Sequence, residues 1–221
     1  MNLYHHPMSL NARRAVMAAL HLRAPVDLVL VDLQKGHQRS VDHLRRNPNG
    51  KVPVVEDGDF VLWESNAIMQ YLADVTPGQS VYPQGAKERA DVNRWLFWSA
   101  HHFTPAVGVL NWERAVKPLI GLGNADPTEV SRGEKLVIEC GRVLDTHLAG
   151  KDWITQGRLT LADFALAAPL MAMTRAKLPL GDFVHIRGWF ARVRDLDAWQ
   201  RTNPGQDAPE RATLSPETRA R

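Results

Sequence analysis

A serine near the amino terminus lies where its hydroxyl could do chemistry. Residues 6–14 read HPMSLNARR and join a short strand-like stretch to a helical pattern. Ser9 can cap that helix, which is the ordinary role of a serine at this position. A hydroxyl there can also donate to a thiol sulfur and so favour the thiolate. Lowering a thiol pKa of about 8.5 by ~2 units corresponds to about 2.7 kcal/mol, which activates a nucleophile without a metal.

Two pairs of residues are suited to holding an amino-acid-like ligand. Val52-Pro53 begins a strand pattern, and a cis bond there would leave the Val52 backbone groups free to pair with an extended peptide. Glu64-Ser65 lies where a strand pattern ends and a helical pattern begins. We expect Ser65 to cap this helix, whose first N–H groups attract a carboxylate. Glu64 beside them can take an ammonium group, so the pair predicts a site for both charged ends of an amino acid.

Other catalytic chemistries find little support in the sequence. No G-x-S-x-G motif is present, and neither His5 nor His6 is spaced to serve as a base for Ser9. The absence of a C-x-x-C motif excludes a dithiol redox cycle. His101 and His102 are consecutive, so on a helix they point in different directions and make a poor pair of metal ligands. We therefore expect no metal.

The composition is that of an ordinary globular protein. The 221 residues are 44% hydrophobic and 23% charged, with a formal net charge of +3 that is scattered along the chain. This pattern predicts no nucleic-acid partner, and no apolar run approaches the ~20 residues of a membrane span. No signal peptide is recognisable, and the single cysteine, Cys140, suits a reducing cytoplasm. Its place on the apolar side of a helical pattern predicts a buried, inert thiol.

The first part of the chain alternates strand and helix patterns. Strand patterns cover 2–5, 26–33, 53–56 and 60–63, and Asp57-Gly58 marks a tight hairpin between the last two. Helical patterns cover 10–21, a short irregular stretch within 34–47, and a segment that begins at Ser65. The order βαβ-α-ββα predicts an α/β unit with a four-stranded mixed sheet and helices on both faces.

From residue 86 the strand patterns disappear and an all-α part is predicted. Its helical patterns cover 86–115, 127–149, 160–176 and 186–194. Thr160 and Asp163 form a capping box, which indicates a structural role for both. We therefore divide the chain into the following parts: an α/β domain at 1–78, a linker at 79–85, a helical domain at 86–202 and a polar tail at 203–221.

Three segments resemble the cytosolic glutathione transferases, and most of all their serine-type members (the theta, phi and delta classes and many bacterial proteins). They are LYHHPMSLNARR, KGHQRSVDHLRRNPNGKVPVVEDGDFVLWESNAIMQYL and LTLADFALAAP. The resemblance implies a thioredoxin-like domain followed by a helical domain. It also implies an enzyme of detoxification, with glutathione as co-substrate, a small hydrophobic electrophile as the second substrate, and a homodimer.

The resemblance also assigns roles to particular positions. Ser9 matches the serine that hydrogen-bonds the glutathione sulfur, and Val52 and Pro53 match the residue that pairs with the cysteinyl backbone and the cis-proline after it. Glu64 and Ser65 match the pair that binds the γ-glutamyl end. For the glycyl carboxylate, the matching positions carry Lys51 and Gln38, and at Gln38 many relatives have a histidine.

Alternatives remain open for the sulfur contact, the pocket and the reaction. Asn11 or, less favoured, Tyr4 could replace Ser9 at the sulfur. Phe103 and Trp112 are candidates for lining the electrophile pocket. The same fold is also compatible with a non-catalytic binding or regulatory protein, or with a glutathione-dependent peroxidase, isomerase or dehalogenase.

Overall fold

A four-stranded sheet forms the core of the amino-terminal part. The structure, a computed structural model, describes residues 1–204, so most of the predicted tail at 203–221 lies outside it. The strands are β1 (Asn2–His5), β2 (Asp27–Leu30), β3 (Val54–Asp57) and β4 (Phe60–Trp63). Their order in the sheet is β2-β1-β3-β4, with β1 parallel to β2 and antiparallel to β3, and β3 antiparallel to β4. This confirms the predicted mixed sheet.

The burial of the strands follows their place in the sheet. Leu3 on β1 and Val54 and Val55 on β3 are fully buried, because both strands are central and covered on their faces. The hairpin between β3 and β4 is as tight as predicted, with Asp57 paired to Phe60. Its two loop residues are Gly58 and Asp59, and Gly58 takes the positive φ of +58° that a side chain would resist.

Three helices and one 3₁₀ turn accompany the sheet. The α-helices are α1 (Leu10–Leu22), α2 (Val41–Arg46) and α3 (Ser65–Asp74), and the 3₁₀ turn is His37–Arg39. Helix α1 buries small apolar side chains against α3 and the sheet, among them Ala15 and Ala18. The crossover from β1 through α1 to β2 places the amino terminus of α1 at the carboxyl end of β1.

The rest of the described chain is helical. Its α-helices are α4 (Ala86–Trp98), α5 (Thr104–Asn111), α6 (Lys117–Leu119), α7 (Pro127–Leu148), α8 (Leu161–Ala167), α9 (Val184–Arg194) and α10 (Asp197–Gln200). The predicted helix at 86–115 is interrupted by π-helical turns at Ser99–Phe103 and Trp112–Val116. The predicted helix at 160–176 ends earlier, since Pro169 lacks an N–H and the chain continues as 3₁₀ turns through Ala168–Ala172.

The predicted capping box forms at the start of α8. Asp163 is fully buried, and its carboxylate accepts hydrogen bonds from the backbone N–H of Thr160 (2.8 Å) and Ile154 (3.0 Å) and from the indole N–H of Trp189 (2.9 Å). Burial raises the pKa of Asp163 to about 6, and the hydrogen bonds act in the opposite direction. The carboxylate therefore ties the start of α8 to the preceding loop and to α9.

Candidate functional site

Ser9 caps α1 and keeps its own proton available. The Ser9 Oγ accepts the backbone N–H of Ala12 at 3.1 Å, with the extended φ and ψ of an N-cap residue. Within residues 1–204, the Ser9 hydroxyl donates to no acceptor. The side chain is half-buried at the end of the loop that follows β1. A partly shielded hydroxyl with an unused proton can donate to an incoming anion such as a thiolate.

Val52 lies beside the start of α1, and the bond from it to Pro53 is cis. Val52 is buried in a small cluster with Ala12 and Val31, so the turn before β3 packs directly on the first turn of α1. Among the described residues, neither the N–H nor the C=O of Val52 forms a hydrogen bond with another backbone group. These groups can pair with an extended ligand close to Ser9.

The start of α3 differs from the prediction by one residue. The N-cap residue is Glu64, and Ser65 is the first residue of the helix, so the expected capping by the Ser65 side chain was wrong. The cause is a turn at Glu64, whose φ of +75° is rare for a residue with a side chain and typical of constrained sites. The turn leaves the Ser65 hydroxyl and the first N–H groups of α3 available for a carboxylate.

A buried arginine links the start of α3 to α1 and α5. The Arg14 guanidinium donates to Asn66 Oδ1 at 3.1 Å and to Thr104 Oγ1 at 2.7 Å. Burial lowers the pKa of Arg14 to about 10, and the nearby negative charge of Glu64 acts in the opposite direction. Glu64 itself is exposed, so its carboxylate can meet an ammonium group of a ligand.

The turn before Val52 carries the groups predicted for a second carboxylate. The Lys51 side chain is exposed, and its backbone C=O is fixed by His43 Nε2 (2.9 Å) and Asn47 Nδ2 (2.8 Å). Gln38 lies in the 3₁₀ turn, where its amide N–H₂ makes only a long contact of 3.5 Å to the C=O of Leu33. The amide oxygen of Gln38 is buried without a partner among residues 1–204, so this side chain offers only its N–H₂ group to an anion.

A second cation, Arg39, lies at this turn and was not predicted from the sequence. A Cβ atom on Gly50 would lie 2.8 Å from Nη1 of Arg39, so the guanidinium rests against the residue before Lys51. Arg39 and Lys51 together give this end of the site two positive charges for one carboxylate. The only sequence signal was the basic residue next to Gln38.

The alternatives to Ser9 are placed less favourably. Tyr4 lies within β1, and its hydroxyl donates to Glu56 Oε2 at 2.7 Å. Burial, followed by the hydrogen bond to Glu56, raises the pKa of Tyr4. The proton of this hydroxyl is thus donated to Glu56 and is not available to a sulfur atom. Asn11 is exposed one residue after the start of α1, and its side chain stays an alternative for the sulfur contact.

The two residues predicted to line an electrophile pocket differ in accessibility. Phe103 is fully buried and stacks on Trp98 with 5.8 Å between ring centroids, so it offers no surface to a ligand. Trp112 is 42% exposed at the start of the second π-helical turn.

His101 and His102 stack on different aromatic rings, as expected for consecutive residues. Cys140 is half-buried rather than buried, and burial followed by the charge of Glu139 raises its pKa.

Other surface features lie apart from this site. Two depressions of about 240 and 220 Å³ lie between α7 and α9 and near residues 76–81, and neither is lined by a predicted site residue. Within residues 1–204, His, Cys, Asp and Glu side chains form no cluster of three or more that could hold a metal ion. Every helix in the described part of the chain is too short or too polar to cross a lipid bilayer.

The sequence matches two domains of known protein families. The family model for the glutathione S-transferase N-terminal domain matches residues 1–74, and that for the C-terminal domain matches residues 127–192. A protein named glutathione S-transferase 3 from Zea mays is 32% identical over 208 residues, which are 91% of this chain and 92% of that protein. These matches confirm the resemblance seen in the three sequence segments.

Solved structures agree with this relationship. A structure of glutathione S-transferase III in its apo form is 31% identical, with a TM-score of 0.78 over 91% of this chain and 94% of that one. A crystal structure of glutathione transferase F7 from Populus trichocarpa, 24% identical, shares the fold with a TM-score of 0.82 over 91% and 96% of the two chains. On the strength of both matched domains and of these relatives, the chain belongs to the glutathione S-transferase family.

Proposed function

We propose that Ser9 holds the sulfur of glutathione as a thiolate, which then attacks a small hydrophobic electrophile. The observation that carries this proposal is the Ser9 hydroxyl, which accepts the Ala12 N–H at 3.1 Å and has no acceptor of its own among residues 1–204. An oxygen that already accepts a backbone N–H is held in place, and its O–H can donate to the sulfur. That donation stabilises the anion more than the neutral thiol and lowers the thiol pKa.

The remaining site residues are proposed to position the tripeptide. Val52 pairs with its cysteinyl backbone through its N–H and C=O groups, which bond to no other backbone group in the described part of the chain. The start of α3 at Ser65 takes the α-carboxylate of the γ-glutamyl end, and Glu64 takes its ammonium group. Lys51, Arg39 and the N–H₂ group of Gln38 lie at the opposite end, where the glycyl carboxylate is proposed to bind.

In the proposed reaction with a chloroaromatic compound, the thiolate forms a carbon–sulfur bond and chloride leaves with the electrons of the carbon–chlorine bond. The proton of the thiol goes to solvent. No redox partner is needed. The protein contributes a lowered thiol pKa and the close placement of the two reactants.

Purified protein should be retained on immobilised glutathione and should conjugate glutathione to 1-chloro-2,4-dinitrobenzene. Retention together with turnover supports the proposal. Retention without turnover indicates a binding or regulatory protein, and turnover of peroxides alone indicates a glutathione peroxidase. Absence of retention and of turnover would contradict the proposal as a whole.

We also propose that the protein is a homodimer in the cytoplasm. Helices α3 and α4 are joined by a hydrogen bond from Gln70 to Asn93 (2.6 Å) and by an ion pair from Arg89 to Asp74. Large aromatic side chains are exposed on α4 and on β4, where Phe97 is 64% exposed and Phe60 is 48% exposed. Exposed aromatic residues are typical of subunit interfaces, and a single cysteine suits a reducing compartment.

A further inference from the structure

An arginine from the helical part of the chain reaches the residue next to Ser9. Arg175 follows the 3₁₀ turns after α8, and its Nη1 lies 3.7 Å from the sulfur of Met8. The side chain is half-buried and is held by a hydrogen bond from its Nε to Asn111 Oδ1 at 2.9 Å. Asn111 in turn precedes Trp112, the exposed aromatic residue proposed for the electrophile pocket.

The Arg175 guanidinium forms no ion pair with an Asp or Glu side chain among residues 1–204. Most other arginines in this part of the chain whose side chains form hydrogen bonds do pair with a carboxylate. Among the residues that the structure describes, the polar contacts of Arg175 are Asn111 and the Met8 sulfur, which leave N–H groups available to donate. Burial lowers the pKa of Arg175. Burial, and then the like charge of Arg175, lower the pKa of Arg13 to about 10, so two cations lie near each other here.

A half-buried guanidinium without a counter-ion is costly unless an anion accompanies it. The Arg13 guanidinium already has polar partners: it donates to the C=O of Trp199 (3.0 Å) and to Thr202 Oγ1 (3.1 Å). It also stacks on the Trp199 ring. Arg175 is therefore the group with free donors, and it faces the Met8 side of the Ser9 loop. Met8, which the guanidinium contacts, is 41% exposed, and Trp112, which follows Asn111 in the chain, is 42% exposed, so both offer apolar surface to a ligand.

We propose that Arg175 binds the carboxylate of the electrophilic substrate, so that the preferred second substrate is an apolar electrophile bearing one carboxylate. This inference rests on the proposed function and specifies its substrate class. Met8 and Trp112 contact the apolar part of the substrate, and the guanidinium pairs with its charge. The arrangement sets selectivity between electrophiles and takes no part in activating the thiol.

A matched pair of substrates tests this inference, namely 4-chloro-3-nitrobenzoate and its neutral analogue 4-chloro-3-nitrobenzamide. For each, kcat/KM is divided by the uncatalysed second-order rate constant with glutathione, which removes their difference in intrinsic reactivity. We expect Arg175→Gln to lower the corrected benzoate-to-benzamide ratio at least about tenfold, as for a charge-assisted hydrogen bond. Arg175→Lys should retain part of the preference, and added salt should reduce it in the wild-type protein.

Arg142→Gln is the matched control, because Arg142 is exposed on α7 and forms no ion pair among the described residues. It should not alter the ratio. An equal fall in kcat/KM for both substrates in Arg175→Gln, or a higher KM for glutathione with both, would overturn the inference. An unchanged ratio would overturn it too.

The outcomes also separate this inference from the proposed function. If the wild-type protein conjugates the benzamide and shows no dependence on Arg175, the inference alone fails. If it conjugates glutathione to neither compound, nor to 1-chloro-2,4-dinitrobenzene, the proposed function fails and the inference fails with it.

Discussion

At the scale of single residues, the site is built from groups whose hydrogen bonding is incomplete in the free protein. Among residues 1–204, the Ser9 hydroxyl donates to no acceptor and the Val52 backbone groups bond to no other backbone group, while Glu64 is exposed with a positive φ of +75°. Unsatisfied groups of this kind cost stability, and they persist where a ligand completes them. Their common position at the ends of β1, β4 and the turn before β3 is consistent with one extended ligand.

We predict that Lys51→Met and Arg39→Met each raise the KM for glutathione about three- to tenfold, with little change in kcat, because each removes one charge near the glycyl carboxylate. Steady-state kinetics at low and high salt measures the effect, which should shrink as salt screens exposed charges. Arg45→Met is the control, since Arg45 is an exposed cation whose ion pair within residues 1–204 is with Asp42. Equal KM values for glutathione and its C-terminal amide in the wild-type protein would contradict the assignment.

Much of this site could be predicted from sequence, because its parts lie at the ends of strands and helices that have clear local signals. The position of Ser9 as a cap and the cis bond before Pro53 are such features. The turn at Glu64 could not be foreseen, since nothing local requires a positive φ at a residue with a side chain. Arg175 was missed because it reaches the Ser9 loop through a contact between segments distant in sequence, and Arg39 because the fold of the turn before Lys51 could not be foreseen.

At the scale of elements, the capping box fixes α8 against its neighbours. We predict that Asp163→Ala lowers the free energy of unfolding by about 3 kcal/mol, because it leaves buried N–H groups of Ile154, Thr160 and Trp189 without acceptors. Urea denaturation measures this loss. The activity per folded molecule should change less than about twofold, since Asp163 contacts no site residue.

Asp152→Asn is the control for this prediction. The Asp152 side chain is 71% exposed and pairs with Arg192, so its loss should cost less than about 1 kcal/mol. An equal loss of stability in both variants would contradict the role given to the buried carboxylate.

We expect His5, at the end of β1, to make the stability of the fold depend on pH. Burial first, and then the neighbouring His6, lower the pKa of His5 to about 4. Because the folded-state pKa lies below the unfolded value of about 6.5, the neutral histidine contributes stability above that value, and this contribution is lost as the pH falls towards ~4. When the pH is lowered from ~7 to ~5, the free energy of unfolding should fall in the wild type. We predict that this fall is about 1–2 kcal/mol smaller in His5→Gln.

Urea denaturation at the two pH values checks this prediction, with His185→Gln as the control, because His185 is exposed on α9. If the free energy of unfolding fell equally in the wild type and in His5→Gln as the pH was lowered, the pKa of His5 would not differ between the folded and unfolded states as expected.

At the scale of the whole molecule, the proposed linker at residues 79–85 joins an α/β part and a helical part that are packed together. Val81 and Tyr82 in this segment are buried, and the C=O of Val81 accepts the N–H of Leu161 at 3.0 Å. Arg14 and Arg175 both bridge the same two parts. The amino-terminal part is proposed to hold glutathione and the helical part to select the electrophile, so their fixed packing positions one substrate against the other.

We predict that Phe97→Glu converts the proposed dimer to a monomer, because a charge at the centre of an apolar contact between subunits is left without a partner. Sedimentation velocity measures the change in mass. Leu122→Glu is the control, since Leu122 is also exposed but lies in the loop after α6. A wild-type protein that sediments as a monomer at micromolar concentration would contradict the proposal.

The Ser9 hydroxyl is proposed to keep bound glutathione ionised, and ultraviolet titration of the thiolate in the complex measures this ionisation. We predict that the bound thiol titrates ~2 units below the value of about 8.5 for a free thiol, and that Ser9→Ala moves it back by at least about one unit. Asn11→Ala should leave the titration where it is in the wild type. An unchanged titration in Ser9→Ala, with the shift appearing in Asn11→Ala instead, would contradict the account.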